Sequence, residues 1–99
     1  MLKETDDLEF SDPLVLTLIY TSFCGTCEMA KRMLSVISQS MTDISFYQLN
    51  ANLHPHVLKT YSISSIPCFL VYKEGQLIDQ FYAFHSVSFL YDKLRGYIS

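Results

Sequence analysis

The stretch Leu14-Val15-Leu16-Thr17-Leu18-Ile19-Tyr20-Thr21-Ser22-Phe23-Cys24-Gly25-Thr26-Cys27 decides how the chain folds. Its first seven residues are nearly all apolar, the pattern of a strand covered on both faces. Beyond the second cysteine, Met29, Ala30, Met33, Leu34, Ile37 and Met41 recur at helical spacing. Glu28, Lys31, Arg32, Ser35, Ser38 and Gln39 fall mostly on the other side, and only Val36 is out of place. A helix is therefore expected over about 25–41. The two thiols stand at a strand-to-helix junction, which is a placement for redox chemistry. A helix that starts there turns free backbone N–H groups and the positive end of its dipole towards Cys24. Both favour the thiolate, the form that attacks a disulfide. Glu28, in the first turn, opposes that thiolate, and the helix end is expected to outweigh it.

Upstream, Leu2, Leu8 and Phe10 lie among charges, and residues 2–11 are expected to form at most a short helix before Ser11-Asp12-Pro13 breaks the chain. Downstream, Ile44–Leu49 reads as a second strand nearer an edge, laid parallel to the first by a right-handed crossover. Pro55 suits the first turn of a short helix over 55–61, with Val57, Leu58 and Tyr61 inward. His54 and His56, which flank it, are expected at a solvated helix start, and His85 at the surface. Cys68-Phe69-Leu70-Val71-Tyr72 reads as another buried strand, and Lys73-Glu74-Gly75-Gln76 as a hairpin turn with a glycine free to take positive φ. Leu77–Tyr82 returns antiparallel. Ser86 caps a last helix whose inner face is Val87, Leu90, Tyr91, Leu94, Tyr97 and Ile98. The order is βαβαββα in one α/β domain, with helices on both faces of the sheet because its two central strands are apolar throughout.

Composition narrows the function classes. The chain has 99 residues, enough for one core, with 49% hydrophobic and 17% charged residues, so it can order itself. A net charge of −3, with no basic run beyond Lys31-Arg32, gives nucleic-acid binding little support. No apolar stretch approaches the roughly 20 residues that span a bilayer, so no membrane partner is expected. The acidic start, Met1-Leu2-Lys3-Glu4-Thr5-Asp6-Asp7, lacks a signal-peptide core, which makes the cytoplasm the expected location. Three cysteines do not make a secreted disulfide framework. They leave two alternatives to redox catalysis. One is a module binding a metal ion or an iron–sulfur cluster through Cys24, Cys27 and Cys68, for which no usual ligand spacing exists. The other is a scaffold that binds partners without turnover.

Ile66-Pro67 supplies a second signal, a proline at the start of a buried strand, 40 positions beyond Cys27. Taken together, Tyr20–Cys27, Tyr61–Pro67, Phe69–Gly75 and the element order resemble the thioredoxin family over residues 14–98. The resemblance implies one thioredoxin-like domain over 1–99, acting as a thiol–disulfide oxidoreductase that reduces protein disulfides. Cys24 would attack, and Cys27 would resolve the mixed disulfide. Gly25 and Thr26 would form the motif and helix start. Pro67 would be cis beside the sulfurs, Ile66 would offer its backbone to an extended substrate, and Phe23, Tyr82 and Ala83 would complete a groove rim. No bound cofactor is implied. Electrons would come from an external NADPH-dependent flavoprotein of the thioredoxin-reductase type, to a chain expected to be monomeric. Four features depart from the family. Phe23 and Thr26 replace the usual Trp and Pro of the motif. Leu18 stands where a buried Asp often accepts the proton of the resolving thiol, leaving water or Cys24 to take it. Cys68 follows the proline as a third thiol, where Thr is usual, and a small core residue is the plainer use for it. Only about 13 residues precede the first strand, so the family's N-terminal strand is expected to be missing and the sheet four-stranded.

Overall fold

The computed structural model describes residues 2–82 and 86–98. Five strands and three helices follow one another as β1 (Lys3–Glu4), β2 (Leu14–Tyr20), α1 (Gly25–Ser40), β3 (Ser45–Asn50), α2 (His56–Thr60), β4 (Cys68–Lys73), β5 (Gln76–Phe81) and α3 (Val87–Ile98). The sheet order is β1-β3-β2-β4-β5, with β3 parallel to β1 and β2, and β4 antiparallel to β2 and β5. All seven residues of β2 are buried, as its unbroken apolar run predicts for a central strand.

Strand alternation divides the interior in two. Leu14, Leu16, Leu18 and Tyr20 of β2 join Phe69 and Val71 of β4 against Cys27, Ala30, Leu34 and Ile37 of α1 and Leu90 and Leu94 of α3. Val15 and Ile19 join Cys68, Leu70 and Tyr72 against Val57 of α2. Helices thus cover both faces. Each fully buried Leu or Phe in these layers stabilises the fold by about 1.5–3 kcal/mol relative to exposure. The buried stripe of α1 is turned from the expected one. Positions 27, 30, 34 and 37 face inward, at spacings of three and four, while Met29 is 55% exposed.

The sheet has five strands rather than the four expected, and residues 2–11 form no helix. A two-residue strand needs almost no chain. Lys3 and Glu4 pair with Tyr47 and Gln48 on the free side of β3, and Thr5 N–H adds a bond to Gln48 O at 2.9 Å. Glu4 is fixed from two sides, by Tyr20 OH at 2.9 and 3.0 Å and by Gln48 Nε2 at 2.8 Å. Burial, and then the Glu4 and Glu28 carboxylates, push the Tyr20 hydroxyl up to about 12. The chain then crosses to the centre of the sheet over the α2 face, where Leu8 and Phe10 pack. The Phe10 ring lies 4.8 Å from that of Tyr47 and 5.2 Å from that of Tyr72. His54, expected at a solvated helix start, pairs its Nε2 with Asp6 Oδ1 at 3.0 Å with only 20% of its side chain exposed.

At the other edge, α3 is tied to β5. Ser86 Oγ accepts from Phe89 N–H at 3.1 Å, the expected cap. Tyr97 OH donates to Asp79 Oδ2, and Lys93 Nζ lies 3.4 Å from the same carboxylate. His85 lies outside the described residues, as does Ala83.

Candidate active site

The strand register gathers the candidate residues at one end of the sheet. Tyr20 pairs with Asn50, Ile19 with Cys68, and Phe69 with Phe81. The segments after β2, β3 and β5 and the segment before β4 therefore emerge side by side, at the carboxyl ends of the parallel strands. In open α/β sheets that is where sites form. Phe23 and Cys24 leave β2 there, Pro67 enters β4 there, and Tyr82 leaves β5 there.

Cys24 is itself the N-cap of α1, with extended φ −120° and ψ 105°. Its Sγ accepts from Cys27 N–H at 3.2 Å, and its carbonyl accepts from Glu28 N–H at 3.1 Å. A cysteine sulfur thus occupies the position usually held by Ser, Asp or Asn, and satisfies one of the helix's unpaired donors. Thr26 Oγ1 lies 3.5 Å from the same sulfur. Cys24 and Cys27 form a disulfide, with 5.2 Å between their Cα atoms. The two sulfurs differ in access, because Cys24 is partly exposed whereas Cys27 is fully buried. Gly25 has no atom within 4 Å of where a Cβ would stand, so the approach to the motif is open on that side. Glu28 is paired with Lys31 at 3.2 Å, and Lys31 Nζ lies 3.7 Å above the Tyr20 ring. That pairing blunts the opposition of Glu28 to a thiolate on Cys24.

Phe23 sits in the left-handed region at φ 59° with its side chain wholly exposed. Its bend is held from outside. Ser22 N–H donates to Asn52 Oδ1 at 2.7 Å, and Asn52 N–H donates to Asn50 Oδ1 at 2.9 Å. The β3–α2 loop therefore clamps the motif loop. Asn52 was not among the site residues read from sequence, although the Asn50-x-Asn52 spacing is one that builds such side-chain-to-backbone turns.

The Ile66–Pro67 peptide is cis and Pro67 is buried. Ile66 touches the cores on both faces of the sheet. The preceding loop is pinned by Tyr82, whose hydroxyl accepts from Ser64 N–H at 3.4 Å and from Gln80 Nε2 at 3.2 Å and donates to Ser62 O at 3.4 Å. Leu18 is fully buried in the layer that holds Cys27, between Gln48 and Phe69 on the neighbouring strands. The side chain in the place of the family's acid is therefore apolar.

Cys68 is fully buried on the opposite face from Cys27, among Val15, Ile19 and Val57. Burial pushes its thiol up to about 12, so it is neutral in ordinary solution. The three-sulfur metal or cluster arrangement is thus corrected on geometry, since the sheet separates Cys68 from the pair. Among the described residues, no group of three or more His, Cys, Asp or Glu side chains is placed to hold a metal ion.

The family model described as Thioredoxin matches residues 4–95. The chain belongs to the thioredoxin family. It is 46% identical over 92 residues to the thioredoxin-like protein YusE of Bacillus subtilis, covering 93% of this chain and 85% of that protein. To thioredoxin 1 of Synechococcus elongatus it is 34% identical over 73 residues, covering 73% of this chain and 67% of that one. To the chloroplastic thioredoxin Y2 of Arabidopsis thaliana it is 31% identical over 77 residues, covering 77% of this chain but only 46% of that longer protein. A thioredoxin of Halobacterium salinarum (a single-site mutant) superposes with a TM-score of 0.87 at 16% identity, covering 98% of this chain and 90% of that one. The oxidised thioredoxin of Plasmodium falciparum superposes with a TM-score of 0.80 at 21% identity, covering all of both chains. These two likenesses bear on the fold alone. As a member of this family, the chain is a thioredoxin-like thiol–disulfide oxidoreductase, and Cys24–Cys27 is its redox-active disulfide.

Proposed function

We propose that this protein reduces protein disulfides, with Cys24 as the attacking sulfur and Cys27 as the resolving one. The observation that carries the assignment is the asymmetry of the pair. Cys24 is partly exposed with a backbone N–H aimed at its sulfur, whereas Cys27 is sealed in the core. The Cys24 thiolate attacks one sulfur of the substrate, a mixed disulfide forms, and the substrate's other sulfur leaves as a thiolate. Cys27 then loses its proton, to water or the departing thiolate rather than to a buried acid, because Leu18 offers none. It attacks Cys24 Sγ, frees the substrate's second thiol, and closes the Cys24–Cys27 bond. Two electrons have passed from the dithiol to the substrate.

An external NADPH-dependent flavoprotein of the thioredoxin-reductase type would restore the dithiol, with the chain acting as a monomer in a reducing compartment such as the cytoplasm. Phe23, Ile66, Pro67 and Tyr82 would receive an extended substrate segment at the end of the sheet, and Ile66 would pair with its backbone. Among the described residues, no helix is long and apolar enough to cross a membrane.

A redox titration of the pair tests the direction. A midpoint near −270 mV marks a reductant and one near −120 mV an oxidant. The expected value lies at the reducing end, and a value at the oxidising end would sink the reductase assignment. Dithiothreitol-driven insulin reduction checks the nucleophile. Cys24→Ser should abolish turnover; a wild type no faster than that variant and than dithiothreitol alone would mark the chain as a scaffold, and full activity in the variant would overturn Cys24 as the attacking sulfur.

A further inference from the structure

We propose that the Thr26 hydroxyl is a hydrogen-bond donor to the Cys24 thiolate, and that it sets both the acidity of Cys24 and the potential of the pair. The proposal rests on Cys24 as the attacking sulfur and adds a residue to its chemistry. Thr26 Oγ1 stands 3.5 Å from Cys24 Sγ. Geometry alone leaves the donor open, but the oxidation state decides it. In the Cys24–Cys27 disulfide, Cys24 Sγ carries no hydrogen, so the hydroxyl must be the donor. After reduction and loss of the Cys24 proton to solvent, the sulfur again has no hydrogen and now carries a full charge. The same donor then acts on a better acceptor, because hydrogen bonds to ionised groups are about twice as strong as those between neutral ones.

Thr26 joins a donor already in place, Cys27 N–H at 3.2 Å from the same sulfur. The two groups reach it from the backbone and from a side chain, so they do not substitute for one another. The sign follows. A donor that favours the thiolate lowers the thiol pKa and stabilises the reduced pair, which raises the potential and makes the pair less reducing than it would otherwise be. A proline at this position has no donor to offer, so this effect belongs to the residues of this chain.

The test compares Thr26→Val, which keeps the branched shape and removes the hydroxyl, with Thr26→Ser, which keeps the hydroxyl and removes a methyl. Two quantities are read in each: the pH profile of Cys24 alkylation, located by mass spectrometry, and the equilibrium of the pair with glutathione. Thr26→Val should lower the Cys24 acid constant by about three- to tenfold. It should shift the glutathione equilibrium towards the disulfide by up to the same factor, where tenfold corresponds to about 30 mV. Thr26→Ser should stay near the wild type in both. If Val and Ser shift alike, packing and not the hydroxyl is responsible, and the proposal is overturned. If neither shifts, it is overturned as well. A wild-type Cys24 with no enhanced reactivity would overturn the assignment of the attacking sulfur, and the role of Thr26 with it. A reactive Cys24 that Thr26→Val leaves unchanged would overturn the role of Thr26 alone.

Discussion

Thr17 and Leu18 are neighbours on β2 and face opposite sides of the sheet, and each breaks a rule in its own layer. Thr17 is fully buried and, among the described residues, its hydroxyl has no hydrogen-bond partner. A buried hydroxyl without a partner costs about 1–3 kcal/mol. Replacing it with a group of the same shape and no polar atom should remove that cost, so Thr17→Val is expected to stabilise the fold by about 1 kcal/mol. The check is a urea titration, in which the midpoint should rise with an unchanged slope; a lower midpoint would mean that the hydroxyl is satisfied. Leu18 was legible as a departure from the family because its distance from Cys24 along the chain fixes its place. The face that Cys68 takes was not legible, because β4 is apolar on both faces and its alternation carries no signal. Asn52 was missed for a different reason. Its partner, Ser22, lies 30 residues away, and nothing local in either loop announces the meeting.

Elements were read from sequence to within about a residue wherever periodicity or turn chemistry was strong, as at α1, β4 and the cap of α3. The N-terminal strand failed because two residues have no period, and its existence depends on an open edge of β3 that sequence alone does not reveal. The β4–β5 hairpin shows how far turn chemistry reaches. Lys73 pairs with Gln76, so the loop has two residues, Glu74 at φ 51° and Gly75 at φ 81°. Two successive positive φ values make a type I′ turn, whose twist suits a hairpin and whose favoured sequence is Asn-Gly. The glycine was expected, whereas the glutamate is strained in a conformation that disfavours residues with a Cβ. Glu74→Asn should therefore stabilise the protein by about 0.5–1 kcal/mol, while the Glu74 N–H bond to Pro13 O at 2.9 Å persists as a backbone contact. Thermal unfolding measures it, and an unchanged or lower Tm would show that the turn is not strained.

At the scale of the whole molecule, one ion pair and one hydrogen bond join the last strand to the last helix and make part of the stability depend on pH. Burial raises the Asp79 carboxyl, but the hydrogen bonds from Tyr97 and from Gln80 N–H, together with the Lys93 ammonium, outweigh it and hold the group below its ordinary 3.8. A depressed carboxyl pKa contributes stability that is fully present above its unfolded value and is lost as pH falls through its folded value. The contribution should therefore be intact at neutral pH and be lost progressively as pH falls below about 4. Asp79→Asn should be less stable than the wild type at pH 7, with the two urea midpoints converging as acid is added. Midpoints that stay parallel down the pH range would exclude Asp79 as the source. The architecture itself was legible from the alternation of strand and helix patterns, because each pattern spans many residues and errors average out. The central position of β2 has one more consequence, for the chain as it is being made. This strand is synthesised before both of its partners, β3 and β4, and the second of them is complete only at Lys73. A nascent chain shorter than that carries a seven-residue apolar run with an unpaired edge, the kind of surface that other chains and chaperones bind. Everything from Thr21 to Lys73 must leave the ribosome before this fully buried strand has both of its partners.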